Sequence, residues 1–584
     1  VTGSGTWKAW LERLANGFHA RRASSARSAD GFVSPPEPRT IGSFTRGQQL
    51  IAGEFLFAGQ PATARDTSVW DLPHPDPAFR EEPHGFAWLG DLAAVGDPEA
   101  RSRAWEWTMD WIARFGGGQG PGWSPALTGH RVIRWIDHAP FLLDSRDRAA
   151  SDPYFRALGK QIAFLERRWE VAPGGLPRFE ALAGLIRAGL ALRNMEGVVA
   201  PAMDALSREC EREIDPQGEI ATRNPEELLE ILTLLTWAAA GLTDAGRVLS
   251  RAHASAIGRI VPRLRALRHA DGGLARFHGG GRGTDGELDR ALAVSGVRER
   301  PGTGLSMGYV RLSAGRTSVI VDAAAPPAES RNAHASTLAF EMTSGRRPVV
   351  VNCGSGAYLG PAWRRAGRAT PSHSTLGIEG ISSSRFGSGR QGDLLSDRPT
   401  LVAFQRTDHA DGIACQVSHD GYGKTHGLIH ERNLFLGADG RTVEGGDVRV
   451  AVNERARRRL DRMLRRARRQ GGIAHAIRFH LHPDIEATTD ADGTTVAMAL
   501  GNGEIWMFRH NGPARLSLEP SVYLERGRSE PRATKQIILS ARITGFGNRT
   551  TWSLAKTPDT PTASRDLEIG EPIAMRTAEE IILE

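Results

Sequence analysis

Between Ser330 and Ile381 the chain carries Asn332, His334, Asn352, Tyr358 and His373. Amide, imidazole and phenol groups of this kind hold a metal, orient a carboxylate or exchange a proton. Asn332 and His334 stand two apart in a segment that reads as a strand, so both are expected on one face. Val349–Val351 reads as a buried strand with Asn352 at its end, and His373 follows a glycine-rich turn. His334, Asn352 and His373 are therefore expected to converge where neighbouring strands end. Two imidazoles and one oxygen suit zinc; they suit a buried hydrogen-bonded network equally. Asn352 is a weaker ligand than an aspartate because it brings no charge. Further along, SHDGY places His419 and Tyr422 at a polar strand end, and AIRFHLHP sets Arg478, His480 and His482 on one strand face. The chain has only 5 tyrosines, and Tyr358 and Tyr422 both lie in glycine-rich loops from which a phenol can reach a cleft.

Two kinds of element must position these groups. Up to about Ala270 the apolar residues recur at helical spacing, in blocks at Arg131–Leu143, Tyr154–Trp169, Arg178–Met195, Ala202–Ile214, Pro225–Leu242 and Ser250–Ala266. Asp152-Pro153 and Asn224-Pro225 each read as a capping side chain followed by proline at the first helical position. Helices of this length with short Pro- and Gly-rich joints and no strands between them predict stacked helix pairs, as in a toroid or solenoid. The texture changes at Arg268–Gly286, and from Gly308 onward short alternating strands predict a large antiparallel sandwich. The expected class is α+β and multidomain: an N-terminal helix and linker over 1–45, an (α/α) toroid over 46–300, and an antiparallel β-sandwich over 301–584.

A chain of 584 residues has length for two or more cores. Its formal charge of +7 suits an acidic polysaccharide, nucleic acid or membrane surface as partner, or simply an arginine-rich composition. Three cysteines far apart argue against a disulfide framework and a thiolate zinc site. No apolar run is long enough to span a membrane. The first residues hold Trp7, Trp10, Leu11, Leu14 and Phe18 at helical spacing. They read as a helix docking on the protein's own core, or else as a basic interfacial helix, and not as a secretory signal. The expected compartment is the cytoplasm, with periplasm or envelope second. Glu454–Gly472 is a dense arginine run at helical spacing, read as a solvated insert or an anion-binding patch. It lacks interleaved aromatics, so no specific nucleic-acid partner is expected.

Asn332–Gly377 resembles the heparinase II/III-like proteins, a superfamily of polysaccharide lyases. The likeness recurs in HDGY and RFHLHP, and in the helical half in GPGWSPALTGHRVIRW, GGLPRFEALAGLIRAGL and QGEIATRNPEELLEIL. The resemblance implies a toroid joined to a sandwich, and cleavage of uronic-acid polysaccharides by β-elimination. Such chemistry needs donors on the uronate carboxylate, a base for its neighbouring proton and an acid for the leaving oxygen. The family's second motif histidine falls on His334 and its later zinc-binding histidine on His373. Its aspartate falls on Asn352 and its first, catalytic histidine on Asn332. Its Asn-His pair falls on Leu176 and Pro177, and its helix-opening tyrosine near Glu227. A rearranged lyase site is the first expectation. In it, Arg178, Arg223 or Asn332 neutralise the uronate and Tyr422, Tyr358 or His373 exchange protons, with Trp123, Glu227, His419, Arg478 and His480 binding substrate and zinc on His334, Asn352 and His373. The alternatives are a non-catalytic relative that binds an acidic glycan and a structural protein that uses the arginine run.

Overall fold

The computed structural model describes residues 3–23, 29–38, 42–144, 146–528 and 530–557. Helices fill the chain from Phe44–Ile51 to Glu287–Val294. Several open on side-chain caps followed by proline, among them Asp97 before Pro98, Ser124 before Pro125 and Asn224 before Pro225. Each cap oxygen takes up a free N–H of the first turn. The expected start at Asp152 is corrected: Asp147 caps the helix Arg148–Arg168, and Pro153 lies inside it. The short helix Glu287–Val294 has no counterpart in the sequence reading. Two long helices, Pro125–Asp137 and Leu176–Ala191, cross backbone to backbone. A Cβ on Gly184 would sit 2.9 Å from the Cα of Gly129. The helical core is strongly aromatic. Trp111 lies 5.6 Å from Trp135 and 5.9 Å from Trp123, and the Arg131 guanidinium covers Trp111 at 4.1 Å.

The N-terminal helix Gly3–Arg22 corrects one expectation. It rests on the toroid through Asn16 and Ala20, which are buried, while the apolar residues expected to dock stay exposed. Of the segment read as a linker, residues 29–38 are described. There the N–H of Val33 donates to the Ala191 carbonyl at 2.9 Å. Residues 24–28 and 39–40 lie outside the described residues.

The C-terminal half is a sandwich of two large antiparallel sheets. One runs in the order Arg515–Tyr523, Arg532–Ile543, Ile473–Leu481, Arg347–Val351, Phe340–Ser344, Thr317–Asp322, Tyr309–Ala314. The other runs Val402–His409, Gly412–Tyr422, Leu428–Gly437, Thr442–Val450, Gly547–Lys556, Ile505–Asn511, Thr495–Ala499, Glu486–Thr489. Alternation along Leu428–Gly437 sends His430, Arg432, Leu434 and Leu436 inward. Phe340 stacks on Trp552 at 5.7 Å between the sheets. The arginine run forms the helix Glu454–Ala467, inserted between strands of the two sheets and pinned by the buried Leu460. The segment carrying Asn332 and His334, expected as a strand, becomes one only at Phe340; residues 331–339 are irregular and Leu338 adopts φ +68°. Asn332 and His334 therefore sit in a loop and not on a strand face.

Arginines close the junction of the halves. Arg223 precedes the helix Pro225–Asp244 with φ +53°. Its guanidinium donates to Met307 O (2.7 Å), Ala325 O (2.7 Å), Gly308 O (3.1 Å) and Asp322 Oδ1 (2.6 Å). Arg276 donates to Asn352 O at 3.3 Å and Leu524 O, and lies 4.0 Å above the Tyr523 ring. Removing the Arg223 guanidinium leaves Asp322 buried without its cation. An Arg223→Met variant should lose about 3 kcal/mol in urea unfolding, and no change beyond 0.5 kcal/mol, roughly the effect of a surface substitution, would show that this junction is not held as described.

Candidate functional site

The imidazoles form a closed chain of hydrogen bonds. The N–H of Gly279 donates to His334 Nε2 at 3.0 Å, so the ring proton of His334 is on Nδ1. His334 Nδ1 meets His373 Nε2 at 3.0 Å, and His373 Nδ1 meets the Ala369 carbonyl at 2.9 Å. Each ring thus has one donor and one acceptor, both used. The backbone N–H of His334 donates to His278 Nδ1 at 3.0 Å. All three rings are buried, and burial holds His334 and His278 well below the ordinary histidine value and takes His373 down to about 4. Asn352 Oδ1 accepts from the N–H of Ser374 at 3.0 Å and its amide donates to Glu341 at 3.2 Å.

This set does not fit zinc. The lone pair of His373 Nε2 takes the His334 proton, the lone pair of His334 Nε2 takes the Gly279 proton, and Asn352 adds no charge. Among the described residues no group of three or more His, Cys, Asp or Glu is placed to hold a metal.

The groove between the halves is lined differently. A small pocket there is lined by Arg276, Gly280, Tyr358, Glu525 and Arg526; on the toroid side of the junction stand His130 and the buried Glu180, paired at 2.7 Å, and Glu226, Glu227 and Glu230 of the helix Pro225–Asp244. From the sandwich come Tyr358 and Arg526, the guanidinium 5.1 Å from the phenol ring. Arg526 reaches Glu226 and Glu230 at 3.6 Å each. Burial, together with the carboxylates of Glu226 and Glu180, pushes Glu230 up to about 8. Burial likewise pushes the half-buried Tyr358 phenol up to about 12. Tyr358 is fixed by the hairpin Glu54–Phe57/Gln60–Thr63: Gly59 at its turn (φ +72°) lies so close that a Cβ would sit 1.0 Å from the Tyr358 carbonyl. Asn332 is exposed at the rim, its amide oxygen accepting from Arg364 at 3.2 Å. A larger concavity, about 570 Å³, lies on the outer face of the second sheet among Gln405, Gln416, Asn433, Arg509 and Arg549.

Residues 297–553 match the family described as heparinase II/III-like, C-terminal. The matched stretch is the sandwich, which is similar to that family's C-terminal domain. Over 560 residues, 93% of this chain and 93% of the other, the protein is 28% identical to FtsZ-localized protein C of Caulobacter vibrioides. Its fold superposes on a crystal structure of heparinase III with a TM-score of 0.67 at 14% identity, covering 94% of this chain and 90% of that one. The heparan sulfate lyase HepC from Pedobacter heparinus gives 0.55 at 14% identity over 94% and 89%. The architecture, a helical toroid followed by an antiparallel sandwich, is the fold of these two structures.

Within this heparinase II/III-like frame, few of the expected site residues meet. Tyr358, Asn332 and Glu227 lie at or near the groove, although Glu227 is occupied by the Thr222 hydroxyl at 2.8 Å. Tyr422 is wholly buried and donates to Leu376 O at 2.7 Å. His419 accepts from Gly421 N at 2.9 Å, and His480 is held between Ser521 Oγ (2.8 Å) and Pro371 O (2.9 Å). Arg478 is half-buried on that same sheet face. Trp123 is a core residue whose indole donates to Phe115 O at 2.7 Å. Arg178 is spent on Ala172 O, Glu170 O and Glu209, and Arg223 on the junction. The reading of the sequence missed His278, Glu180, Glu226, Glu230 and Arg526. The run PEELLE held a signal for two of them, since Glu226 and Glu230 are four apart on one helix face.

Purified protein should hold far less than one zinc per chain, and a chelator should leave its thermal midpoint unmoved. Stoichiometric zinc that disappears in His373→Ala would show that the imidazoles open to coordinate it. The sign of the pH effect follows from the depressed histidines. Keeping His373 neutral contributes stability that is complete above its ordinary 6.5 and is lost as pH falls toward about 4. His480 and His475, each lowered to about 3 by burial, act in the same direction. The urea midpoint should therefore fall from about pH 7 to about pH 5, before most carboxylates protonate; a flat midpoint over that range would contradict the neutral assignment.

Proposed function

We propose that this chain uses a polysaccharide-lyase fold for binding and not for β-elimination, and that it localises with FtsZ, as the name of a relative covered over 93% of its length states for that protein. The observation that carries the first part is the sign of the groove. A uronate carboxylate needs cations where its charge grows. Here Arg526, which lines the junction pocket from the sandwich, is already shared between Glu226 and Glu230, and the buried Glu180 adds a further carboxylate close to Glu230. A phenol base would also need a depressed pKa, and Tyr358 is raised. The second part rests on the likeness to FtsZ-localized protein C along nearly the whole chain.

A lyase acting on an acidic polysaccharide is the second reading, favoured by Tyr358, a phenol that faces the groove beside a guanidinium. Binding of an acidic glycan without cleavage is a third, favoured by Arg509 and Arg549 in the outer-sheet concavity.

Two assays separate these. The chain should pellet with polymers of FtsZ from the same cell, and a panel of uronate polymers should yield no absorbance of an unsaturated product. Product formation that vanishes in Tyr358→Phe would replace the proposal with the lyase. Uronate binding without product, lost in Arg509→Ala/Arg549→Ala, together with no FtsZ co-pelleting, would replace it with the glycan-binding reading.

A further inference from the structure

We infer that the N-terminal helix Gly3–Arg22 is an interfacial helix that lays an aromatic stripe into the surface of an anionic bilayer. Trp7, Trp10, Leu11, Leu14 and Phe18 are 59%, 44%, 45%, 52% and 53% exposed. At 3.6 residues per turn these five positions fall within an arc of about 100°. The opposite arc is what holds the helix to the protein. There Arg168 Nε donates to Asn16 Oδ1 at 2.9 Å and Ala20 is buried, while at the edge of the stripe a Cβ on Gly17 would lie 3.2 Å from the Gly118 carbonyl. The toroid thus grips the helix by its small residues and turns its large apolar ones outward.

The composition of that stripe selects its occupant. Trp7 and Trp10 stack with ring centroids 4.9 Å apart. Indoles favour headgroup depth, where the ring is half in apolar surroundings and the N–H stays wet. Leu11, Leu14 and Phe18 supply the side chains that go deeper. Cations border the same face: the Arg22 guanidinium lies 5.8 Å from the Phe18 ring and Arg21 is exposed beside it. Such a rim complements acidic lipid headgroups. A second copy of the chain fits less well. The five side chains expose on the order of 500 Å², below the roughly 800 Å² that each partner gives a stable interface. Among the described residues no helix is long and apolar enough to cross a membrane, so contact is from one side. This inference is independent of the groove and of FtsZ.

The test is flotation of the full chain with vesicles of phosphatidylethanolamine and phosphatidylglycerol, against vesicles of phosphatidylcholine alone. The wild type should float with the acidic vesicles and far less with the neutral ones. Leu11→Asp/Leu14→Asp, at exposed positions, should keep the native circular dichroism and bind at least about tenfold more weakly. Arg21→Glu/Arg22→Glu should weaken binding to the acidic vesicles alone. Arg457→Glu/Arg462→Glu/Arg466→Glu, in the arginine-rich helix of the sandwich, should float like the wild type. Absence of the wild type from the floating fraction would overturn the inference. So would equal flotation of the Leu11→Asp/Leu14→Asp variant, or loss of flotation only in the arginine-helix variant. A dimer in sedimentation equilibrium that this leucine variant dissociates, with no lipid binding, would assign the stripe to a second copy instead.

Discussion

A buried ion pair, Arg432 with Asp447, ties the sandwich together. Both side chains are out of water, the guanidinium nitrogen 2.9 Å from the carboxylate. Charges so placed are tolerated only when every donor and acceptor is used. Asp447 also accepts from His430 at 2.7 Å and from the Trp552 indole at 3.0 Å. Burial alone would raise its pKa, yet Arg432 and His430 hold it well below the usual carboxylate range. The remaining Arg432 nitrogen donates to Leu338 O at 2.8 Å and Ser374 O at 2.7 Å. Those carbonyls belong to the two turns that carry His334 and His373. The imidazole chain is therefore positioned from the far sheet, through one guanidinium.

The same logic separates architecture from chemistry. A toroid and a sandwich meeting along a groove are built by apolar helix faces, alternating strands and the Arg223 and Arg276 contacts. None of these depends on what the groove displays. Fold and site chemistry are therefore set by different residues, and the one does not fix the other. In this chain the histidines that the family resemblance singles out have become part of the scaffold, their protons committed to neighbouring rings and carbonyls.

Much of the architecture was legible in the sequence. The helical blocks followed the 3.6-residue period, and the Asn224 cap is where its Asn-Pro pair places it. Strands such as Ile473–Leu481 followed strict alternation. The loop carrying Asn332 and His334 was misread because Leu338 takes a left-handed backbone that side-chain pattern does not report. The site was less legible for a different reason. Whether Tyr422, His419 or His480 faces a cleft or a carbonyl depends on which distant backbone segment lies above it, and those partners are as far away as residue 371 for His480. Arg178 and Arg223 looked available for a substrate because arginine usually is. Only three-dimensional accounting shows their donors already filled.

The crossing of Gly129 with Gly184 has a further consequence. These glycines belong to the helices that also bear His130 and Glu180. With no side chain between the two backbones, a Cβ on Gly129 would lie 2.5 Å from the Glu180 carbonyl. The spacing of the two axes is thus a fixed gauge for the toroid wall, set by two missing methyl groups. Growth at either position would act as a wedge, driving the two helices apart where Glu180 stands.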